Sequence, residues 1–182
     1  DPFGGQKDLK NKIIRAVGDP YERLVKEDPT RMLRALRFAC QLNFDIDLDT
    51  YKTIKKHQDQ IARKFTIKDQ AGKSQTQTRV AVEMLAAEFL KGFDAYPEKM
   101  IELLDDTKIY RSILTPELIS AWEGLKTTEQ PPDFHAEGNV WNHTILGLQN
   151  LKKLTNNSIG LPKTTSINLK LAVLLHDFGK VS

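Results

Sequence analysis

Apolar and polar positions follow a helical period along most of the chain after residue 28. The first such segment places one apolar face opposite an arginine-bearing face, and the apolar face consists of Met32, Leu33, Leu36, Ala39 and Cys40. The same period predicts further helices at about 47–63, 77–91, 95–105, 116–125, 138–155 and 165–178. The pattern therefore predicts an all-α fold beyond the opening segment.

The opening segment has a different pattern. Turn residues occur at Pro2 and at the glycine pair Gly4 and Gly5, β-branched residues are concentrated in 13–17, and 18–20 reads Gly-Asp-Pro. This order predicts a loop, a short strand and a turn. Because a lone strand is not stable, we expect its partner strands to lie upstream of residue 1.

Helix starts and breaks divide the chain. Asp28 before Pro29 predicts an N-cap followed by proline at the first helical position, and Thr115 before Pro116 repeats that signature. The Gln-Pro-Pro segment at 130–132 interrupts the helical pattern. We predict a linker at 1–24, a helical domain at 25–128 and a further helical domain at 129–182.

Composition excludes several classes of protein. The longest apolar run is 171–175, whereas a membrane-spanning helix needs about 20 apolar residues, so we expect no membrane partner. No pattern of a secretory signal is present. The single cysteine, Cys40, excludes an internal disulfide and indicates a reducing compartment, which predicts a cytoplasmic protein.

The net charge of +3 is unevenly distributed. The stretch 52–79 is mostly basic, and the stretch 83–106 is mostly acidic. A basic stretch can contact a nucleic-acid backbone, although a solvated helix face explains the same charges. The candidate RNA-binding residues are Lys52, Lys55, Lys56, Arg63 and Lys64.

Asp28 and Arg31 are three residues apart, so they lie on one side of a single helical turn. A carboxylate only accepts hydrogen bonds and a guanidinium only donates them. Together they complement cytosine and adenine, which present an amino donor beside a ring-nitrogen acceptor. Uracil and guanine present the reverse order, and each unpaired group costs about 1–3 kcal/mol. The alternative is that Asp28 only caps its helix and Arg31 is only solvated.

Two groups of motifs resemble the join between head and neck in class II tRNA nucleotidyltransferases. They are Asp1-Pro2-Phe3-Gly4-Gly5, Asp8-Leu9, Ile14-Arg15 and Val17-Gly18-Asp19-Pro20, followed by Glu27-Asp28 with Arg31, Arg34, Arg37 and Phe38-Ala39. The resemblance implies that Asp28 and Arg31 form a protein template for CTP or ATP, and that Arg34 and Arg37 help to hold the helix and the nucleotide. It also implies a hinge within 1–15 and an Arg79–Glu83 helix pair that braces the nucleotide pocket.

The resemblance further implies what the chain does not contain. In the family, an upstream head binds the phosphates and holds two magnesium ions for nucleotidyl transfer. We therefore expect no catalytic residue within this chain, and we expect the chain alone not to add nucleotides.

A second resemblance involves the last predicted helix, which ends at adjacent His176 and Asp177. Imidazole and carboxylate groups are ligands for divalent metals. With upstream His143, these residues resemble the HD superfamily of metal-dependent phosphohydrolases, and Glu137-Gly138 and Trp141 match features of its scaffold. The resemblance implies a divalent-metal site at His143, His176 and Asp177 that lacks a further downstream aspartate. The alternative is that the histidine and aspartate only end an apolar helix.

Together these patterns predict an all-α neck and body, of the poly(A) polymerase C-terminal type, followed by a truncated HD domain. The implied partners are CTP, ATP and the 3′ end of tRNA or another RNA. Addition of CCA, addition of A alone and poly(A) synthesis remain open, as does the oligomeric state. Two alternatives are a metal-dependent HD phosphohydrolase and a non-catalytic RNA-binding module.

Overall fold

The computed structural model describes residues 1–62, 64–68, 74–131, 137–157 and 163–180. Helices dominate these residues, which confirms the predicted fold class. The helices are α1 (Gly5–Asn11), α2 (Thr30–Leu42), α3 (Leu48–His57), α4 (Val82–Ala95), α5 (Pro97–Thr107), α6 (Tyr110–Ile113), α7 (Pro116–Gly124), α8 (Val140–Asn157) and α9 (Lys163–Leu175). The strands are β1 (Ile13–Ile14), β2 (Asp45–Ile46), β3 (Lys64–Lys68) and β4 (Ser74–Thr78). A π-helical turn spans Glu22–Glu27, and 3₁₀ turns span Gln58–Ala62 and Phe178–Lys180.

The chain forms two compact units, Asp1–Ile113 and Leu114–Ser182. The core of the first unit lies along α2, which packs mainly against α4 and also against α5. All five residues of the predicted apolar face of α2 are at most 2% exposed, so the helical period identified the buried side correctly. The two helices α2 and α4 approach closely at Gly92, where a Cβ atom would lie 3.2 Å from the Cα atom of Arg37.

The opening segment differs from its prediction in two ways. Residues Gly5–Asn11 form the short helix α1, whereas the turn residues predicted a loop. Strand β1 pairs in parallel with β2, and Ile13 is opposite Asp45, so the partner strand lies within this chain. The prediction of an upstream partner was wrong because β2 is only two residues long and gives no strand pattern.

Two helix boundaries also differ from the prediction. Helix α3 ends at His57 and continues as a 3₁₀ turn, and α4 begins at Val82. The segment expected to start α4 instead belongs to the antiparallel hairpin β3–β4, in which Lys64 is opposite Thr78. Threonine has a high strand propensity, which the helical period did not take into account.

The second unit contains α7, α8 and α9. The backbone N–H of Trp141 donates to Leu125 at 2.8 Å, and the Trp122 and Trp141 rings meet edge to face at 5.5 Å. These contacts join α7 to α8. The division between the units therefore falls after Ile113, whereas the sequence placed a domain boundary between residues 128 and 129. None of the helices in the described residues is long and apolar enough to cross a membrane.

Candidate functional site

Asp28 and Arg31 meet at the start of α2. The Nε atom of Arg31 lies 3.7 Å from Oδ2 of Asp28, and the two side chains are 26% and 34% exposed, respectively. The structure thus brings together the two residues that the sequence singled out, and it leaves a carboxylate and a guanidinium accessible side by side. An acceptor and a donor in this arrangement can read one edge of a base.

Asp28 also stabilises the start of α2. Its Oδ1 atom accepts hydrogen bonds from the backbone N–H of Thr30 at 3.0 Å and from the Thr30 hydroxyl at 2.5 Å. The sequence predicted Asp28 as the N-cap and Pro29 as the first helical residue, whereas α2 begins at Thr30 with Pro29 as the N-cap, and Asp28 makes its capping contact from one residue earlier. Because Oδ1 serves the cap, the other carboxylate oxygen is the one that faces Arg31.

Glu27, four residues before Arg31, orients the Arg31 guanidinium. Nη1 of Arg31 donates to Oε2 of Glu27 at 2.5 Å and to the backbone carbonyl of Arg23 at 3.1 Å. Nη1 of Arg23 donates to the same Glu27 oxygen at 2.6 Å. Hydrogen bonds from Arg31 and then from Arg23 lower the pKa of Glu27. Sequence reasoning missed this role, although the i,i+4 spacing of Arg23, Glu27 and Arg31 gave a local signal.

Arg34 and Arg37 turn towards α4 and share Glu88. Nε of Arg37 lies 2.8 Å from Oε2 of Glu88, and Nε of Arg34 lies 3.7 Å from Oε1. The side chains of Arg37 and Glu88 are only 14% and 12% exposed, so this ion pair is largely removed from water. The guanidinium of Arg37 also lies 4.1 Å from the centre of the Phe38 ring. Glu88 was not predicted, because nothing local in the sequence pairs it with α2.

Arg79 has a role other than the one its motif implied. It precedes α4, which begins at Val82, so it cannot form a helical i,i+4 pair with Glu83. Its Nη2 atom instead donates to the backbone carbonyl of Lys26, in the turn that carries Glu27. Arg79 therefore helps to hold the segment that leads into Asp28.

The candidate RNA-binding residues lie mainly on α3. Lys52, Lys55, Lys56 and Lys64 are exposed, and Arg63 lies outside the described residues. The Nζ atom of Lys55 lies 3.1 Å from Oδ1 of Asp106, so this charge already has a partner. Lys52 and Lys56 face a surface pocket.

His143, His176 and Asp177 come together in the second unit. One ligand atom from each lies within 4.8 Å of the others. Nε2 of His176 is 3.3 Å and Nε2 of His143 is 3.9 Å from Oδ2 of Asp177. Asp177 is 2% exposed as a residue, and its Oδ2 atom has no hydrogen-bond partner among the described residues.

The surrounding contacts fix the orientation of the two rings. Nδ1 of His143 donates to Oε1 of Glu137 at 2.5 Å, because a carboxylate can only accept. Nδ1 of His176 donates to the carbonyl of Val173 at 2.7 Å. The Nε2 atoms of both rings therefore face Asp177, and a ring whose Nδ1 donates to a carboxylate or a backbone carbonyl is oriented as metal-binding histidines are. Lys180 lies 2.9 Å from the other oxygen of Asp177 and partly balances its charge.

This donor set fits a divalent transition metal. Two imidazole nitrogens and one buried carboxylate oxygen converge on one point, and such mixed nitrogen and oxygen sets suit Mn, Fe, Ni or Zn. Oδ2 of Asp177 is a buried acceptor without a hydrogen-bond partner among the described residues, and a metal ion or an Nε2 proton facing it would offset that cost. Glu137 and Lys180 are further residues of this site; the sequence treated Glu137 only as scaffold.

Comparison with known proteins finds curated relatives that are named as CCA-adding enzymes or CCA proteins. The chain is 35% identical over 144 residues to the CCA-adding enzyme of Ligilactobacillus salivarius, covering 78% of this chain and 31% of the relative. It is 32% identical over 181 residues to the Multifunctional CCA protein of Neisseria gonorrhoeae, covering 99% of this chain and 36% of the relative. The chain thus spans about a third of the length of these curated relatives. No family model matches it.

Solved structures show the same fold. A tRNA-processing enzyme in an apo form aligns over 98% of this chain and 40% of its own, with a TM-score of 0.58 and 21% identity. A Thermotoga maritima CCA-adding enzyme complexed with tRNA aligns over 98% of this chain and 36% of its own, with a TM-score of 0.55 and 19% identity.

Proposed function

The chain belongs to the tRNA nucleotidyltransferase family, and from this premise we propose that its first unit selects the base of an incoming CTP or ATP and binds the RNA 3′ end that receives it. Nucleotidyl transfer itself, with its magnesium ions, belongs to a part of the protein outside this chain. The observation that carries the proposal is the accessible pair of Asp28 and Arg31 at the start of α2.

The chemistry of the pair explains the choice of base. Asp28 accepts a hydrogen bond from the exocyclic amino group of cytosine or adenine, and Arg31 donates to the adjacent ring nitrogen. Uracil would place a carbonyl oxygen against Asp28 and an N–H against Arg31. Each mismatched group costs about 1–3 kcal/mol, which is about 5- to 150-fold in selectivity.

The supporting contacts keep this edge in place. Glu27 accepts a hydrogen bond from Arg31, and Arg79 donates one to the backbone of the turn that carries Glu27. Arg34 and Arg37 fix α2 against α4 through Glu88, so we assign them mainly to positioning the helix that carries the pair. A rigid supporting shell is what gives a binding group its selectivity.

Basic side chains of α3 and β3 are proposed to hold the RNA. Lys52, Lys56 and Lys64 are exposed, and phosphate contacts position a strand without reading its sequence. We leave Lys55 out of the proposed contact surface because its ammonium is paired with Asp106. Cys40 is buried and is the single cysteine of the sequence, so it cannot form an internal disulfide, which agrees with the reducing cytoplasm that we propose as the location.

The second unit is proposed to bind a divalent metal at His143, His176 and Asp177. Titration calorimetry with Mn²⁺ tests this assignment without relying on enzyme activity. We expect one bound ion per chain, and we expect Asp177→Asn to weaken binding at least tenfold. Equal binding by the variant would refute the assignment. Phosphatase activity of the intact protein that depends on Asp177 would favour the HD phosphohydrolase as a second function.

Nucleotide addition tests the base-selecting role. The intact protein, including the part upstream of this chain, is given a tRNA that lacks its terminal CCA, and incorporation of each of the four nucleotides is measured. We expect C and A to be selected by the wild type, and selectivity to be lost in Asp28→Ala and in Arg31→Ala. The exposed Asp106→Asn serves as a matched loss of one carboxylate and should retain selectivity. If both pair variants select bases as the wild type does, the role is refuted.

A further inference from the structure

A pocket of about 450 Å³ lies beside α3, on the first unit. Its lining residues combine two ammonium groups, an imidazole, a phenol ring and a hydroxyl, and they are Tyr21, Lys52, Thr53, Lys56 and His57. Within the described part of the chain, no carboxylate is among them. A pocket with cationic and donor side chains and no acid in its lining is suited to an anion.

The helical spacing explains how the pocket forms. Lys52 and Lys56 are one turn apart on α3, while Ile54 of the same helix is fully buried on the opposite side. His57 ends the helix and lies against the ring of Tyr21, at 4.9 Å between ring centres. The Tyr21 ring therefore lines one side of the pocket and keeps the His57 imidazole at its edge.

The adjoining turn carries one pair of opposite charges. The Lys26 ammonium lies 5.5 Å from the centre of the Tyr21 ring and is paired with Glu22 at 2.6 Å, so these two charges largely balance each other. Cations at the end of a helix are favoured by its dipole, which accounts for basic residues in the last turn. That effect fades within one turn and does not explain Lys52, which lies a turn earlier on the same side of α3.

We propose that this pocket binds a backbone phosphate of a single-stranded RNA, with Lys52 and Lys56 as the ion-pair partners and His57 as a further donor. The proposal rests on the proposed function, because the strand it holds would be the one whose 3′ end is extended. Its position supports this: the turn Glu22–Glu27 starts next to Tyr21 and leads directly to Asp28. A strand anchored at the pocket is thus held next to the segment that presents the base-selecting pair.

The chemistry predicts how this binding behaves. A phosphate contact carries no sequence information, so the pocket should hold oligo(C) and oligo(U) alike. Each cation that meets a phosphate of a single strand contributes about 0.7 to the slope of log affinity against log salt concentration. A phosphate could also come from the triphosphate of a nucleotide, and competition separates the two sources.

The test measures binding of a fluorescently labelled 12-nucleotide RNA to the chain by anisotropy, across a series of salt concentrations. We expect Lys52→Gln and Lys56→Gln each to lower the salt slope by about 0.7, and the double variant to lower it by about 1.4, equally for both RNA sequences. Lys55→Gln is the matched control, since it removes the same charge from the same helix outside the pocket, and it should leave the slope unchanged. Tyr21→Leu, with both lysines intact, should weaken binding severalfold by releasing His57.

Two outcomes would overturn the proposal. Equal salt slopes for Lys52→Gln, Lys56→Gln and Lys55→Gln would make the pocket a solvated surface. Displacement of the RNA by ATP from the wild type but not from the double variant would assign the pocket to a nucleotide triphosphate. Neither outcome affects base selection, which is measured separately with the Asp28 and Arg31 variants. A negative result for phosphate binding at the pocket can therefore be distinguished from a negative result for the proposed function.

Discussion

Removal of Glu88 should destabilise the first unit and loosen the helix that carries the base-selecting pair. Its carboxylate is 12% exposed and faces Arg37, whose side chain is 14% exposed. Loss of one partner from a fully buried ion pair costs about 3–5 kcal/mol, whereas exposed pairs contribute about 0.2–1 kcal/mol. Because about an eighth of each side chain still reaches solvent, we expect Glu88→Ala to lower the free energy of unfolding by about 2 kcal/mol.

The shared position of Glu88 between Arg34 and Arg37 predicts a smaller loss of stability when Arg37 is replaced. Arg37→Met leaves Glu88 with Arg34 at 3.7 Å, so this change should cost less, about 1 kcal/mol. Combining Arg37→Met with Glu88→Ala removes both charges and should cost less than the sum of the two single losses, which gives a coupling energy of about 1–2 kcal/mol.

Urea denaturation followed by far-ultraviolet circular dichroism measures these differences. Tryptophan fluorescence is unsuitable, because Trp122 and Trp141 both lie in the second unit. Glu83→Gln, an exposed acid on the same helix, is the matched control and should change stability by less than about 0.5 kcal/mol. A Glu88→Ala variant as stable as this control would refute the reasoning, as would a double variant whose loss equals the sum of the single losses.

Two further changes test packing and charge elsewhere in the first unit. Gly92→Ala should lower the free energy of unfolding by about 1 kcal/mol in urea denaturation. Alanine favours the helix by about 1 kcal/mol. Its Cβ atom would, however, lie 2.8 Å from the Met100 sulfur and 3.2 Å from the Arg37 Cα, and such overpacking costs about 1–3 kcal/mol. A stabilised Gly92→Ala would contradict the close approach of the two helices. Desolvation, with the charge of Glu98, raises the pKa of Glu102, so its ionised form opposes folding, although the side chain is exposed and water screens most of this effect. Glu102→Gln should therefore raise stability at pH 7 by about 0.5 kcal/mol, and the gain should disappear as the pH falls through the raised pKa of Glu102, as thermal melts at several pH values would show.

The helical period predicted the buried side of α2 because that information is local. Side chains three and four residues apart must share a face, whatever the rest of the fold does. Strand β1 could not be paired from the sequence, since its partner β2 lies beyond a whole helix and has only two residues. The hairpin β3–β4 was missed because a helix pattern was extended backwards through its threonines.

In the candidate sites, too, contacts within one helical turn could be predicted from the sequence, whereas contacts between distant segments could not. The proximity of Asp28 and Arg31 was predicted because both lie within one turn, and Glu27 was within reach of the same reasoning. Their base-selecting role came from the resemblance and stays a prediction. Glu88 became visible only when α4 was placed against α2. His143 lies on α8 and Asp177 follows the end of α9, and only the resemblance of their motifs to a known family pointed to their proximity, which the structure shows.

Substitution of Asp28 by asparagine tests the central claim most directly. The amide keeps the size and shape of the carboxylate but adds an N–H donor, which can pair with the carbonyl oxygen that uracil presents. The measurement is the ratio of kcat/KM for CTP to that for UTP in the intact protein, with a tRNA that lacks CCA. We expect this ratio to fall at least tenfold in Asp28→Asn, chiefly because UTP is accepted better. A ratio equal to that of the wild type would contradict it, because the base would then be selected by groups other than the Asp28 and Arg31 edge.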